Sequence, residues 1–174
     1  MKKLIVSALF GLCLHGTLRA QIDTRPFVLS LTPELSLPVG KFANTNKLGF
    51  GGNLVAQFKL AEKLRLLASI GGVLYQGKSY ETVYGSSSDY NAVGVTDLKG
   101  GLKYYLLDAV FVAGHIGINR VTQGGESKMG VSYTPVLGAE LGGVDLYVKY
   151  NVIGVEANGG SNIQTVSFCI GYRL

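Results

Sequence analysis

Apolar and polar residues alternate with a period of two along most of this chain. Phe27, Leu29, Leu31, Pro33, Leu35 and Leu37 interleave with Val28, Ser30, Thr32, Glu34 and Ser36. Beyond a Gly-, Asn- and Lys-rich stretch at 39–47, Leu48, Phe50, Leu54, Ala56, Phe58 and Leu60 interleave with Gly49, Gly51, Asn53, Gln57 and Lys59. Successive side chains of a strand point to opposite faces, so each stretch reads as a strand with one apolar and one polar face. The same pattern predicts strands over 64–75, 92–105, 110–119, 131–141, 144–152 and 163–174. Two of the eight carry a blemish. Pro33 cannot donate to a ladder and predicts an irregularity in the first. Val93 and Val95 fall on the polar face of the fourth and predict a bulge there. No helical period of useful length competes with this reading.

The connections alternate in length. Those at 61–63, 106–109 and 142–143 are short, the last a Gly142-Gly143 pair suited to a tight hairpin. Those at 39–47, 76–91, 122–128 and 154–162 are longer and polar. Short turns at one end and long loops at the other point to an all-β fold, an eight-stranded antiparallel up-and-down transmembrane β-barrel with both ends of the mature chain on the short-turn side. A secreted soluble lipocalin-like carrier has the same period with its apolar face inside. Three features favour lipid outside. The polar face is rich in glycine, as a narrow interior requires. Aromatics gather toward strand ends, with Phe27, Phe58, Tyr104 and Tyr172 near the short turns and Phe50, Tyr133 and Tyr150 near the long loops. The last strand finishes on its apolar face with Tyr172 and Leu174.

Residues 1–20 break the pattern. Lys2 and Lys3 precede an apolar run at 4–14 that is too short to span a bilayer, and Thr17-Leu18-Arg19-Ala20 leads into Gln21. This reads as a secretory signal removed after Ala20, leaving a barrel domain over 21–174 in the cell outer membrane. Cys13 offers a lipoprotein alternative, but Leu12 fits it poorly. Without Lys2, Lys3 and Arg19, the sixteen basic residues fall to thirteen against eleven acidic ones. The excess positive charge therefore belongs largely to the signal, and a nucleic-acid partner loses its support. Cys169 remains as a single cysteine, so no intramolecular disulfide is expected.

The segments "ELSLPVGKF" at 34–42, "DLYVKYNVIG" at 145–154 and "SFCIGYRL" at 167–174, with the signal ending at Ala20-Gln21, resemble small outer-membrane β-barrels of the PorT-like and OmpX-like kind. The resemblance implies a barrel embedded in outer-membrane lipid, with a terminal strand read by the barrel-assembly machinery. The usual final Phe is Leu174 here.

The polar face carries a charge pattern. Lys59 and Arg65 fall opposite each other across the turn at 61–63, and Glu140 and Asp145 do so across Gly142-Gly143. Two like charges about 5 Å apart at an effective dielectric of about 20 repel by roughly 3 kcal/mol, so each pair needs counter-charges. The two hairpins lie across the barrel from each other. Lys59 and Arg65 are therefore expected to meet Glu140 and Asp145 across the lumen, with Arg173 as a third cation, in a structural plug.

Candidate chemistry is otherwise sparse. His115 is the one histidine of the mature chain, and a lipid-A-modifying barrel enzyme resembles a His-x-Ser-Asn motif. Here the segment is His115-Ile116-Gly117-Ile118-Asn119, which lacks the serine, and His115 falls on the polar face. It reads as a lumen residue with its hydrogen bonds met. No catalytic residue, cofactor site or metal-ligand spacing is predicted. Tyr80, Tyr84 and Tyr90 in the loop at 76–91 are candidates for contact with an extracellular partner or a headgroup.

Overall fold

Eight long strands, each hydrogen-bonded to two neighbours, close on themselves in the computed structural model, which describes residues 24–81, 87–155 and 162–174. The expected signal at 1–20 and Tyr84 lie outside these residues. The barrel strands are β1 (Phe27–Val39), β2 (Asn46–Ala61), β3 (Leu64–Gly77), β6 (Val93–Tyr105), β7 (Val110–Gln123), β8 (Glu126–Leu141), β9 (Val144–Val155) and β10 (Ile163–Arg173). A four-residue helix, α1 (Phe42–Thr45), fills the first long connection. The second carries a small ribbon of β4 (Ser79–Glu81) and β5 (Ser87–Asp89). Every barrel pairing is antiparallel, and β1 pairs with β10 to close the sheet.

The wall is apolar outside and polar inside. Leu31, Ile70, Leu98, Ile116 and Phe168 stand at least half exposed, whereas Ser36, Thr165 and Ser167 are fully buried between them. A lipocalin-like carrier has the reverse polarity, so the parity of the strands decides against that alternative. The aromatic residues named above lie on the outer face, and the Phe27 and Phe58 rings meet at 5.0 Å near the short turns.

Three local expectations are corrected. Pro33 causes no bulge: it pairs in register with Gly52 on β2, and on the β10 side Leu31↔Tyr172 and Glu34↔Cys169 keep one register across it. The missing donor is absorbed by a gap in the ladder. Strand β6 also has no bulge, since its registers with β3 and β7 run unbroken from end to end. Val93 and Val95 simply point inward, where other apolar residues receive them. The connection at 122–128 is a two-residue turn, because β7 and β8 continue to Gln123 and Glu126. Gly124 and Gly125 have φ of 59° and 88°, left-handed values that glycine adopts without a Cβ clash. True register shifts occur in β2, next to Asn46 and Lys59.

Candidate functional site: the lumen

The interior is built in three storeys. The floor, at the short-turn end, is a charge network. Glu140 and Asp145 pair directly across the β8–β9 hairpin, as expected. Arg173 grips both: Nη1 lies 2.6 Å from Glu140 Oε1, and Nη2 and Nε donate to Asp145 Oδ1 at 2.8 and 3.1 Å. From the other side Lys103 reaches Glu140 Oε2 at 3.0 Å and Asp145 Oδ2 at 3.4 Å. Tyr105 Oη donates to Glu140 Oε2, and Gln57 Nε2 donates to Asp145 Oδ2 at 3.2 Å. The Lys103 ammonium also sits 4.0 Å above the Phe111 ring, a cation–π contact inside a dry enclosure.

Of the five residues expected here, Glu140, Asp145 and Arg173 meet in this floor. Arg65 is enclosed beside them, 1% exposed and opposite Lys103 in register. Lys59 does pair with Arg65 across the turn, but it remains half-exposed next to the β2 bulge and makes no ion pair with Glu140 or Asp145. Its place is taken by Lys103. Distance alone does not exclude β2, since Gln57 on the same strand reaches Asp145; Lys59 lies next to the register shift at the strand end and partly exposed, while Lys103 comes from β6, two strands from the β8 carboxylate. Half-exposed, Lys59 keeps its hydration. The sequence does mark Lys103 as inward by parity, which is the signal that finds it.

The middle storey is a chain of hydrogen bonds. Glu34 Oε2 accepts from Lys149 and from Asn53 Nδ2, each at 2.7 Å. Lys99 pairs with Asp97 at 3.0 Å and donates to Asn151 Oδ1 at 3.3 Å, which also accepts from Thr134 at 2.9 Å. Asn151 Nδ2 passes the chain to Thr165 and Ser167, both at 3.3 Å, and Ser167 Oγ to Ser36 at 2.8 Å. Tyr75 Oη completes it, 2.8 Å from Ser36 Oγ.

The third storey, toward the loops, is apolar. Val73, Tyr75, Val93, Val95, Val121 and Ile153 form one buried cluster. Phe42 of α1 lays its ring edge-on against Tyr75 at 5.1 Å, and Ile163 closes the side. These inward-facing valines have no counterpart in the expected all-polar interior.

His115 faces the lumen, and a Cβ added to Gly101 stands 2.8 Å from its ring. Between floor and middle storey it lines a cavity of about 40 Å³ shared with Ser30, Thr32, Gln57, Lys103 and Asp145. The ring is thus turned away from the lipid face, where a barrel enzyme acting on lipid needs it. Among the described residues no three His, Cys, Asp or Glu side chains are grouped so as to hold a metal ion. On the loop side the exposed rings of Tyr80 and Tyr90 meet at 4.7 Å with their planes tilted by 43°.

No protein-family model matches the chain, and no curated protein does. Solved structures do. The crystal structure of Neisserial surface protein A superposes with a TM-score of 0.62 at 14% identity, covering 86% of this chain and 97% of that one. Ail, the attachment invasion locus protein of Yersinia pestis, gives 0.55 at 14% identity over 85% and 97%. The outer membrane protein OprG from Pseudomonas aeruginosa gives 0.50 at 10% identity over 89% and 98%. The fold is that of a small outer-membrane barrel. At such identities the likeness shows the fold alone. It bears on the OmpX-like side of the resemblance and not on the PorT-like side.

Proposed function

We propose that this chain is a non-enzymatic outer-membrane barrel with a closed lumen, which anchors its long loops at the cell surface for contact with a partner. The observation that carries this reading is the pairing of an exposed apolar wall with buried ion pairs at the short-turn end of the interior and a buried valine cluster toward the loops. An apolar outer face and a closed sheet are what lipid requires of a spanning β-structure, since every backbone group must be satisfied within the protein. An eight-stranded barrel is narrow enough for side chains to fill, and the described ion pairs at one end and valines at the other support a lumen closed to solutes. Outer-membrane lipid and, through the terminal strand at Tyr172 to Leu174, the barrel-assembly machinery are its proposed partners. Residues 1–20 are its proposed export signal. The exposed Tyr80 and Tyr90 mark the loop face offered to an extracellular partner.

The test is fractionation of expressing cells, followed by gel mobility with and without boiling and by conductance in planar bilayers. Recovery with the outer membrane, a heat-dependent band shift and no stepwise current support the reading. Recovery in the aqueous fraction, or steady conductance, overturns it.

A further inference from the structure

Between the hydrogen-bonded middle storey and the apolar cap lies a set of polar atoms that the described residues do not satisfy. Asn119 is 1% exposed, and neither its Nδ2 nor its Oδ1 has a hydrogen-bond partner among the described residues. Asp97 pairs with it across β6 and β7, and its Oδ1 is likewise without a partner although Oδ2 binds Lys99. On β8, Ser132 is 2% exposed with an unpartnered Oγ, and it pairs with Gly117, two residues from Asn119 on the same face. Three neighbouring strands thus turn four unmet polar atoms into one part of the lumen. Buried polar groups in folded proteins nearly always find a partner, protein or ordered water.

We infer that Asp97, Asn119 and Ser132 hold a small cluster of ordered water, sealed beneath the apolar cap. The chemistry of the set selects water over an ion. The Asn119 carboxamide presents an NH2 group with two donor hydrogens and an acceptor oxygen, Asp97 adds an acceptor, and the Ser132 hydroxyl can do either. A cation is repelled by the amide hydrogens, an anion by the carboxylate, and only a molecule that both donates and accepts matches all of them. The local charges already balance, Asp97 against Lys99 and Glu34 against Lys149, so no surplus remains to attract an ion. The site is closed on both sides. Val95 and Val121 follow Asp97 and Asn119 toward the loops, and Ile153 pairs with Ser132. Toward the floor the Lys99 stem lies over Gly117, whose added Cβ meets Lys99 Cγ at 2.6 Å, and Thr134 is bonded to Asn151. Buried waters of this kind make about three hydrogen bonds each to groups otherwise unsatisfied.

Diffraction from crystals of the detergent-solubilised barrel, native and soaked in thallium, tests this directly. The expected result is discrete density within hydrogen-bond distance of at least two of the three residues, with no anomalous signal there after the soak. Asn119→Leu, which fills the space with carbon, is expected to lose that density while keeping the heat-dependent gel shift. Ser132→Ala serves the same purpose, with the loss of one density peak. Direct hydrogen bonds among the three side chains with no density between them overturn the inference, and so does a thallium peak, which makes the site one for a monovalent cation.

Discussion

Removing the Lys103 ammonium is the sharpest probe of the floor. In Lys103→Met the chain keeps its length and loses one charge, which lies 3.0 Å from Glu140 and 3.4 Å from Asp145 in surroundings where all three side chains are at most 5% exposed. At an effective dielectric of about 20, each contact is worth roughly 5 kcal/mol of gross attraction. Much of that is offset by the desolvation of the ammonium. What survives in the variant is two opposed carboxylates that have lost their direct contacts to one buried cation, with Arg173 and the enclosed Arg65 remaining, and breaking a buried pair in this way typically costs about 3–5 kcal/mol. Lys59→Met removes a charge of the same sign from a half-exposed position and is expected to cost less than about 1 kcal/mol. Urea titration of the refolded barrel in micelles, read from the proportion of the heat-modifiable band, compares the two variants on one scale. Lys103→Met/Glu140→Gln should lose less than the two single-variant losses added together, because both substitutions break the same contact. Equal sensitivity of Lys59→Met and Lys103→Met, or a loss below about 1 kcal/mol for Lys103→Met, refutes the assignment of Lys103 to the floor.

Three further outcomes follow from the same geometry. Leu98→Arg places a charge on the middle of the exposed wall and should lower folded yield in lipid vesicles by the equivalent of about 2–4 kcal/mol, measured by band shift. Val95→Asp buries an uncompensated carboxylate in the apolar cap and should cost several kcal/mol in the urea titration. Gly138→Ala brings a methyl 2.6 Å from Phe111 Cζ and 2.7 Å from the Leu146 carbonyl, and should lower the same midpoint by about 1–3 kcal/mol.

The barrel was legible because its signal is redundant: eight strands repeat one parity, and an error in any one leaves the rest intact. Pairs joined by a short turn were legible for a related reason. A two-residue turn fixes the register, so Glu140 could only face Asp145. Contacts across the lumen have no such local rule. Whether Lys59 or Lys103 reaches Glu140 depends on strand tilt and on the β2 bulge, and neither is written in the spacing of residues. Val93 and Val95 misled for a different reason. An inward apolar residue and a bulged outward one produce the same break in parity, and the difference lies in what surrounds it, here Val73 and Val121 on the adjacent strands and Ile153 on β9. Asn119 shares the polar-face parity of His115, but its lack of partners among the described residues shows only when neighbouring strands are in place.

The gap in the ladder at Pro33 has a bearing on how the molecule is assembled. Every other barrel pairing joins strands that follow one another along the chain, and each can form as a hairpin. The pairing of β1 with β10 alone must bring together residues as remote as Ser30 and Arg173. Until that encounter the growing sheet has two free margins, and a free margin is a template for another copy of the same chain. A proline on the first margin withholds one donor from any such rival strand, while the native partner accommodates it without losing register. The gap at Pro33 thus leaves one donor fewer on the margin that stays open until the last strand arrives.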